Sequence, residues 1–165
     1  MECASIITRK LRLEFPGAIY HVINRGNRRV GPFEDARTRD AFKACLFEAC
    51  IRSKWVLHAY AIMSNHFHLA LETPEGNLVS GMQWLQATFT NRYNRFRHQA
   101  GHGSIFQGRY KALVVERGTA LGMLCHYLHL NPVRAAHGSV EHLVGRTAGD
   151  GQRDARQPNC KQCQT

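Results

Sequence analysis

Trp55-Val56-Leu57-His58-Ala59-Tyr60-Ala61-Ile62-Met63-Ser64-Asn65-His66-Phe67-His68-Leu69-Ala70-Leu71-Glu72 reads as a β-hairpin. Residues 55–62 are rich in β-branched and aromatic side chains, Met63-Ser64-Asn65 is short enough for a tight connection, and residues 67–72 supply the returning strand. The two strands should therefore pair antiparallel. Side chains alternate along a strand, so His66 and His68 project to one side, roughly 6 to 7 Å apart at their backbones, while Phe67, Leu69 and Leu71 project to the other. The apolar side is the one to be covered by helices, which leaves the histidines on the open face of the sheet.

Working outward, Ala18-Ile19-Tyr20-His21-Val22-Ile23 is a further strand that closes on the turn Asn24-Arg25-Gly26-Asn27. From Asp35 to about Lys54, Ala41, Phe42, Cys45, Leu46 and Ala49 recur at helical spacing. Thr73-Pro74-Glu75-Gly76-Asn77 ends the hairpin, and Leu78, Met82, Leu85, Phe89 and Tyr93 carry the 3.6 period into a second helix. Gly101-His102-Gly103 and Phe106-Gln107-Gly108 read as a mobile loop before a strand at 110–116. A third helix is expected from about Thr119 to Leu130, stopping near Asn131 because Pro132 disfavours the α region for the residue before it. This order implies an α+β fold, an antiparallel sheet with helices packed on one face. Apolar periodicity fades after His137, so one domain is expected over 1–137 and a disordered tail over 138–165.

The chain has 165 residues, 44% of them apolar, enough for one sizeable core. Lys and Arg number 22 against 12 Asp and Glu, a formal charge of +10 whose self-repulsion suggests a polyanionic partner, nucleic acid first. A merely solvated basic surface is the competing reading. No apolar run approaches the ~20 residues of a membrane span and no signal peptide is recognisable, so a cytoplasmic, nucleoid-associated protein is expected. Of six cysteines, Cys45, Cys50 and Cys125 fall in apolar helical patterns, and Cys160 with Cys163 forms a single C-x-x-C pair without a second. Neither a disulfide framework nor a zinc finger is implied.

Two imidazoles on one sheet face can share a metal, although paired exposed histidines are as often simply solvated. The third helix places Tyr127 and Asn131 at i and i+4, on one face. Asn131 offers a neutral oxygen that could complete a His, His, Asn set suited to magnesium or manganese with positions left open for phosphate oxygens. The competing reading makes Tyr127 a partly buried helix residue and Asn131 a C-cap. A phenol ionises near pH 10, so a tyrosine nucleophile needs help with its proton or with the charge on phosphate, and its product would be a 5′-phosphotyrosine beside a free 3′-hydroxyl.

Asn65-His66-Phe67-His68-Leu69 together with Tyr127-Leu128-His129-Leu130-Asn131-Pro132-Val133-Arg134 resembles the REP-associated and insertion-sequence tyrosine transposases of the HUH superfamily. The likeness extends to Phe15-Pro16-Gly17-Ala18-Ile19-Tyr20-His21-Val22, Asn24-Arg25-Gly26-Asn27 and Phe106-Gln107-Gly108-Arg109-Tyr110-Lys111, covering about residues 9 to 136. It implies a ferredoxin-like sheet, His66 and His68 as metal ligands with Asn131 as third, Tyr127 as nucleophile, and magnesium or manganese as cofactor. It also implies a single-stranded hairpin or repeated palindromic DNA as substrate, Arg25, Asn27, Arg28, Arg109 and Lys111 as DNA contacts, and a monomer or homodimer. Ser64 departs from the proline many relatives carry, and the tail lacks their Trp-Ser-Ser-like segment.

Two rival readings differ in kind. A catalytically silent, domesticated DNA-binding module would keep fold and charge without cutting, whereas a relaxase-like nickase would be expected in a longer chain. Tyr20, Tyr60, Tyr93 and Tyr110 compete with Tyr127 for the nucleophile's role, but they fall in strands or on a core-facing stripe.

Overall fold

The computed structural model describes residues 13–27, 31–98 and 103–134, with side chains described as far as residue 130. Seven elements follow in the order β1 (Ala18–Arg25), α1 (Ala36–Ser53), β2 (Val56–Ile62), β3 (His66–Thr73), α2 (Leu78–Phe96), β4 (Lys111–Val115) and α3 (Thr119–Arg134). The four strands form one sheet in the order β2-β3-β1-β4 with every neighbour antiparallel. This is the βαββαβ arrangement of a ferredoxin-like domain with one helix added. The expected α+β class and hairpin are both present.

Alternation along the strands separates two faces. Tyr20 and Val22 of β1 and Phe67, Leu69 and Leu71 of β3 enter the main core, which α1 and α2 cover with Phe42, Leu46, Met82, Leu85 and Phe89. Phe33, Phe42, Phe67, Phe89 and Phe106 form a connected ring cluster, with centroids 4.8 to 6.4 Å apart. Aromatic contacts of this kind add to what burial alone contributes. Asp35 caps α1 by accepting from the Arg37 amide at 3.1 Å. Gly81 lets α2 come down on Trp55, since a Cβ there would stand 2.1 Å from the indole.

The helical layer expected on one face consists of α1 and α2. α3 lies across the opposite face, where Leu128, with Leu121, Leu124 and Cys125, packs on Ala59 and Ala70. Those four α3 positions are spaced i, i+3, i+4 and i+7, a single stripe, and the two alanines opposite them are small enough for close approach.

Two local expectations are corrected. α3 does not stop before Pro132 but runs to Arg134. The proline withdraws one donor and restricts Asn131, a local cost that the helix absorbs, so Asn131 stands inside α3 and not at its cap. Nor is the segment around Phe106 loose. Ile105 and Phe106 are buried, the Asn27 amide donates to the Ile105 carbonyl at 2.8 Å, and the Gln107 amide donates to the Arg25 carbonyl at 2.8 Å. Burial of two large apolar side chains outweighs the flexibility of the flanking glycines. The 138–165 tail, Arg28, Cys3, Cys160 and Cys163 lie outside the described residues. Among the described residues, no helix is long and apolar enough to cross a membrane, and Cys45, Cys50 and Cys125 are free thiols.

Candidate active site

One face of β3 presents, in order, His66, His68, Ala70 and Glu72, and each has a separate job. The two imidazoles come first, with ring centroids 5.0 Å apart and planes at 77°. His66 Nδ1 lies 2.8 Å from the amide oxygen of Asn65. An amide oxygen only accepts, so His66 donates from Nδ1 and keeps Nε2 bare. His68 is 7% exposed, and its Nδ1 lies 3.0 Å from Nε2 of His21 on the neighbouring strand.

Ala70 is the seat of α3, and Glu72 anchors the approach to it. Arg117, two residues ahead of α3, pairs with the Glu72 carboxylate, which also meets His58 Nε2 at 3.3 Å. With Leu128 turned down onto the sheet, its neighbour Tyr127 comes over the histidines. The Tyr127 ring centroid is 6.3 Å from that of His68 and 6.5 Å from that of His21, both nearly edge-on. Tyr127 is 42% exposed, whereas Tyr20, Tyr60, Tyr93 and Tyr110 are all buried. Of the five tyrosines, Tyr127 alone is reachable from solvent.

Electrostatics keep the three histidines neutral. Burial lowers His21. Burial, then the positive charge of Arg25, lowers His66. His68 falls to about 4, through burial first and the neighbouring His66 and His21 second. Neutral imidazole is the form that ligates a metal, so burial here favours binding. Among the described residues no group of three His, Cys, Asp or Glu converges. A metal held by this pair would take any third ligand from a donor of another type or from outside the described residues. Asn131 lies one turn beyond Tyr127 on the α3 backbone, and its side chain is outside the described set.

Beside His66 opens a cleft of about 740 Å³ whose walls include Arg25, Asn65, Gln107, Arg109 and Lys111. The pairing of Ile23 with Lys111 and of Arg25 with His66 brings these cations to one end of the sheet. Three of the five expected DNA contacts, Arg25, Arg109 and Lys111, thus share a wall with a candidate ligand. Asn27 is exposed two residues beyond β1 without lining the cleft, and Arg28 is outside the described residues.

Sequence reasoning passed over His21 and Asn65 as site residues. The signal for His21 was its parity: between buried Tyr20 and Val22 it must face the other side. That side becomes the side of His68 only through the pairing of β1 with β3, which places Ile23 opposite His68 and His21 opposite Ala70.

Comparison with known proteins identifies the family and the fold. The sequence profile of IS200-like transposases matches residues 15–131. The chain is similar to a REP-associated tyrosine transposase solved bound to a REP hairpin, over 78% of this chain and 74% of that one, with a TM-score of 0.62 and 17% identity. It is also similar to a crystallised protein of Deinococcus radiodurans R1 assigned as a transposase, over 80% of this chain and 100% of that one, with a TM-score of 0.50 and 19% identity. At such identities the two structures speak to the fold. No curated protein sequence matches the chain.

Proposed function

The chain belongs to the IS200-like transposase family, and from that premise we propose that it is a metal-dependent endonuclease and strand transferase for single-stranded hairpin or repeated palindromic DNA, with Tyr127 as nucleophile. The observation that carries this reading is an exposed tyrosine of α3 standing edge-on to His68, on the sheet face that His68 shares with the second neutral histidine of β3, His66. The REP hairpin bound by the structurally similar transposase suggests the class of substrate.

The division of labour follows from the chemistry of each group. His66 and His68 would hold a divalent ion, magnesium or manganese, with the Asn131 amide oxygen as third donor. The amide oxygen suits both ions, and the two imidazole nitrogens favour manganese of the pair. When bound, the ion supplies charge withdrawal from a phosphate. Arg25, Arg109 and Lys111 would draw the DNA backbone along the cleft. The Tyr127 oxygen forms a bond to phosphorus, the bond from phosphorus to the 3′-oxygen breaks, and the proton given up by the phenol ends on that departing 3′-oxygen. The product is a 5′-phosphotyrosine and a free 3′-hydroxyl. Because the phosphodiester's energy is kept in the covalent link, attack by another 3′-hydroxyl rejoins DNA as readily as water releases it.

The test is a denaturing gel of the protein with a pool of labelled single-stranded hairpins and manganese, beside Tyr127→Phe and His66→Ala. Label should be attached to the wild type alone. Binding without attachment in every sample would leave a silent DNA-binding module in place of the enzyme, and attachment in Tyr127→Phe would remove Tyr127 from its role.

A further inference from the structure

His21 occupies the centre of the histidine face and has no part in the chemistry assigned above. Its ring lies end to end with that of His68 and nearly coplanar with it, with centroids 5.3 Å apart and planes at 24°. The 3.0 Å between His21 Nε2 and His68 Nδ1 is a hydrogen-bond distance, so one proton lies between the two nitrogens. Which ring owns it has a consequence. A neutral imidazole carries one N–H. If His21 donated, the single proton of His68 would be forced onto Nε2, and neither of its nitrogens would be available to a cation. If His68 donates from Nδ1, its Nε2 is bare.

The second arrangement is the one that leaves His68 able to ligate a metal, and two further observations are in keeping with it. His66 already shows the second pattern, with Nδ1 satisfied by the Asn65 oxygen and Nε2 left bare. And His21 is not itself the missing third ligand, since among the described residues no three such side chains converge. Ligating histidines commonly owe their tautomer to a partner on the other ring nitrogen.

We propose that His21 is a positioning residue: its Nε2 accepts the Nδ1 proton of His68 and so holds His68 in the tautomer whose Nε2 can bind a divalent cation. This rests on the metal-binding reading of His66 and His68. His21 and Asn65 then do the same work for the two ligands, one from a neighbouring strand and one from the hairpin turn.

The experiment uses the full chain labelled with 15N-histidine, free of metal, and the variants His21→Ala, His21→Gln and His66→Ala. Long-range 1H–15N spectra identify the tautomer of His68, and calorimetry with Mn2+ alone measures binding. The wild type should show His68 protonated at Nδ1. His21→Ala should lose that preference and bind Mn2+ about 10- to 100-fold more weakly. His21→Gln, whose side-chain oxygen can accept in place of Nε2, should recover most of both. His68 protonated at Nε2 in the wild type would overturn the proposal whether or not any variant folds. Unchanged Mn2+ binding in His21→Ala, with wild-type binding intact and His66→Ala binding lost, would overturn the role of His21 alone. Failure of the wild type to bind Mn2+ would instead overturn the metal reading beneath it.

Discussion

His66, His68 and His21 are all held below the ordinary imidazole value by the same cause, burial against a folded sheet. The unfolded chain lacks that burial and takes up protons near pH 6.5, while His68 resists until about 4. Below pH 6.5 the unfolded state therefore binds more protons than the folded one, and stability falls as pH drops, levelling off near pH 4. For His68 alone the loss should be on the order of 3 kcal/mol across that window. Urea denaturation of the metal-free protein at pH 7, 5.5 and 4.5, beside His68→Asn, should show a steeper acid loss in the wild type. Parallel pH profiles for the two proteins would mean that His68 titrates normally.

At the scale of elements, the decisive contact is that of α3 with the sheet. Tyr127 reaches the site through the seating of α3, whose fully buried contact is the next residue, Leu128, against Ala59 and Ala70. Leu128→Ala should cost roughly 2 to 5 kcal/mol, the range for deleting a buried leucine, and should also reduce covalent DNA attachment, because the helix loses the side chain that sets its rotation. Thermal melting measures the first effect and the gel assay the second. Full attachment at a temperature where the variant remains folded would show that Tyr127 is placed by something other than this packing. Elsewhere the local signals were sufficient for the elements themselves. The stripe of Phe42, Cys45, Leu46 and Ala49 gave α1, and alternation across His66 to Leu71 gave the hairpin, because burial on one face imposes a period. Pro132 misled, since a local penalty on one residue does not outweigh a helix already seated upstream.

For the whole molecule, the formal charge of +10 is spread along the chain, and the fold gathers part of it at one end of the sheet. Arg25 ends β1, Lys111 opens β4 and Arg109 precedes it, yet all three wall the cleft beside His66. If they neutralise three phosphates of a single strand, the slope of log K against log salt should flatten by about 2 in the triple variant Arg25→Gln, Arg109→Gln, Lys111→Gln, at roughly 0.7 per phosphate. Fluorescence anisotropy with a single-stranded hairpin over a salt series reads this directly. An unchanged slope would place the DNA track on another face.

The amino-acid sequence by itself determined the elements, the common side of His66 and His68, and the candidacy of Tyr127, because each follows from a period of 2 or 3.6 along a continuous segment. The choice of the sheet face on which α3 lies belonged to the tertiary structure, as did the pairing of His21 with His68 and the gathering of Arg25, Arg109 and Lys111. Each of those depends on which strand pairs with which and in what register. Strand pairing joins residues as distant as Ile19 and Val115. No local period carries that information, since it is set by the burial of the whole apolar face at once.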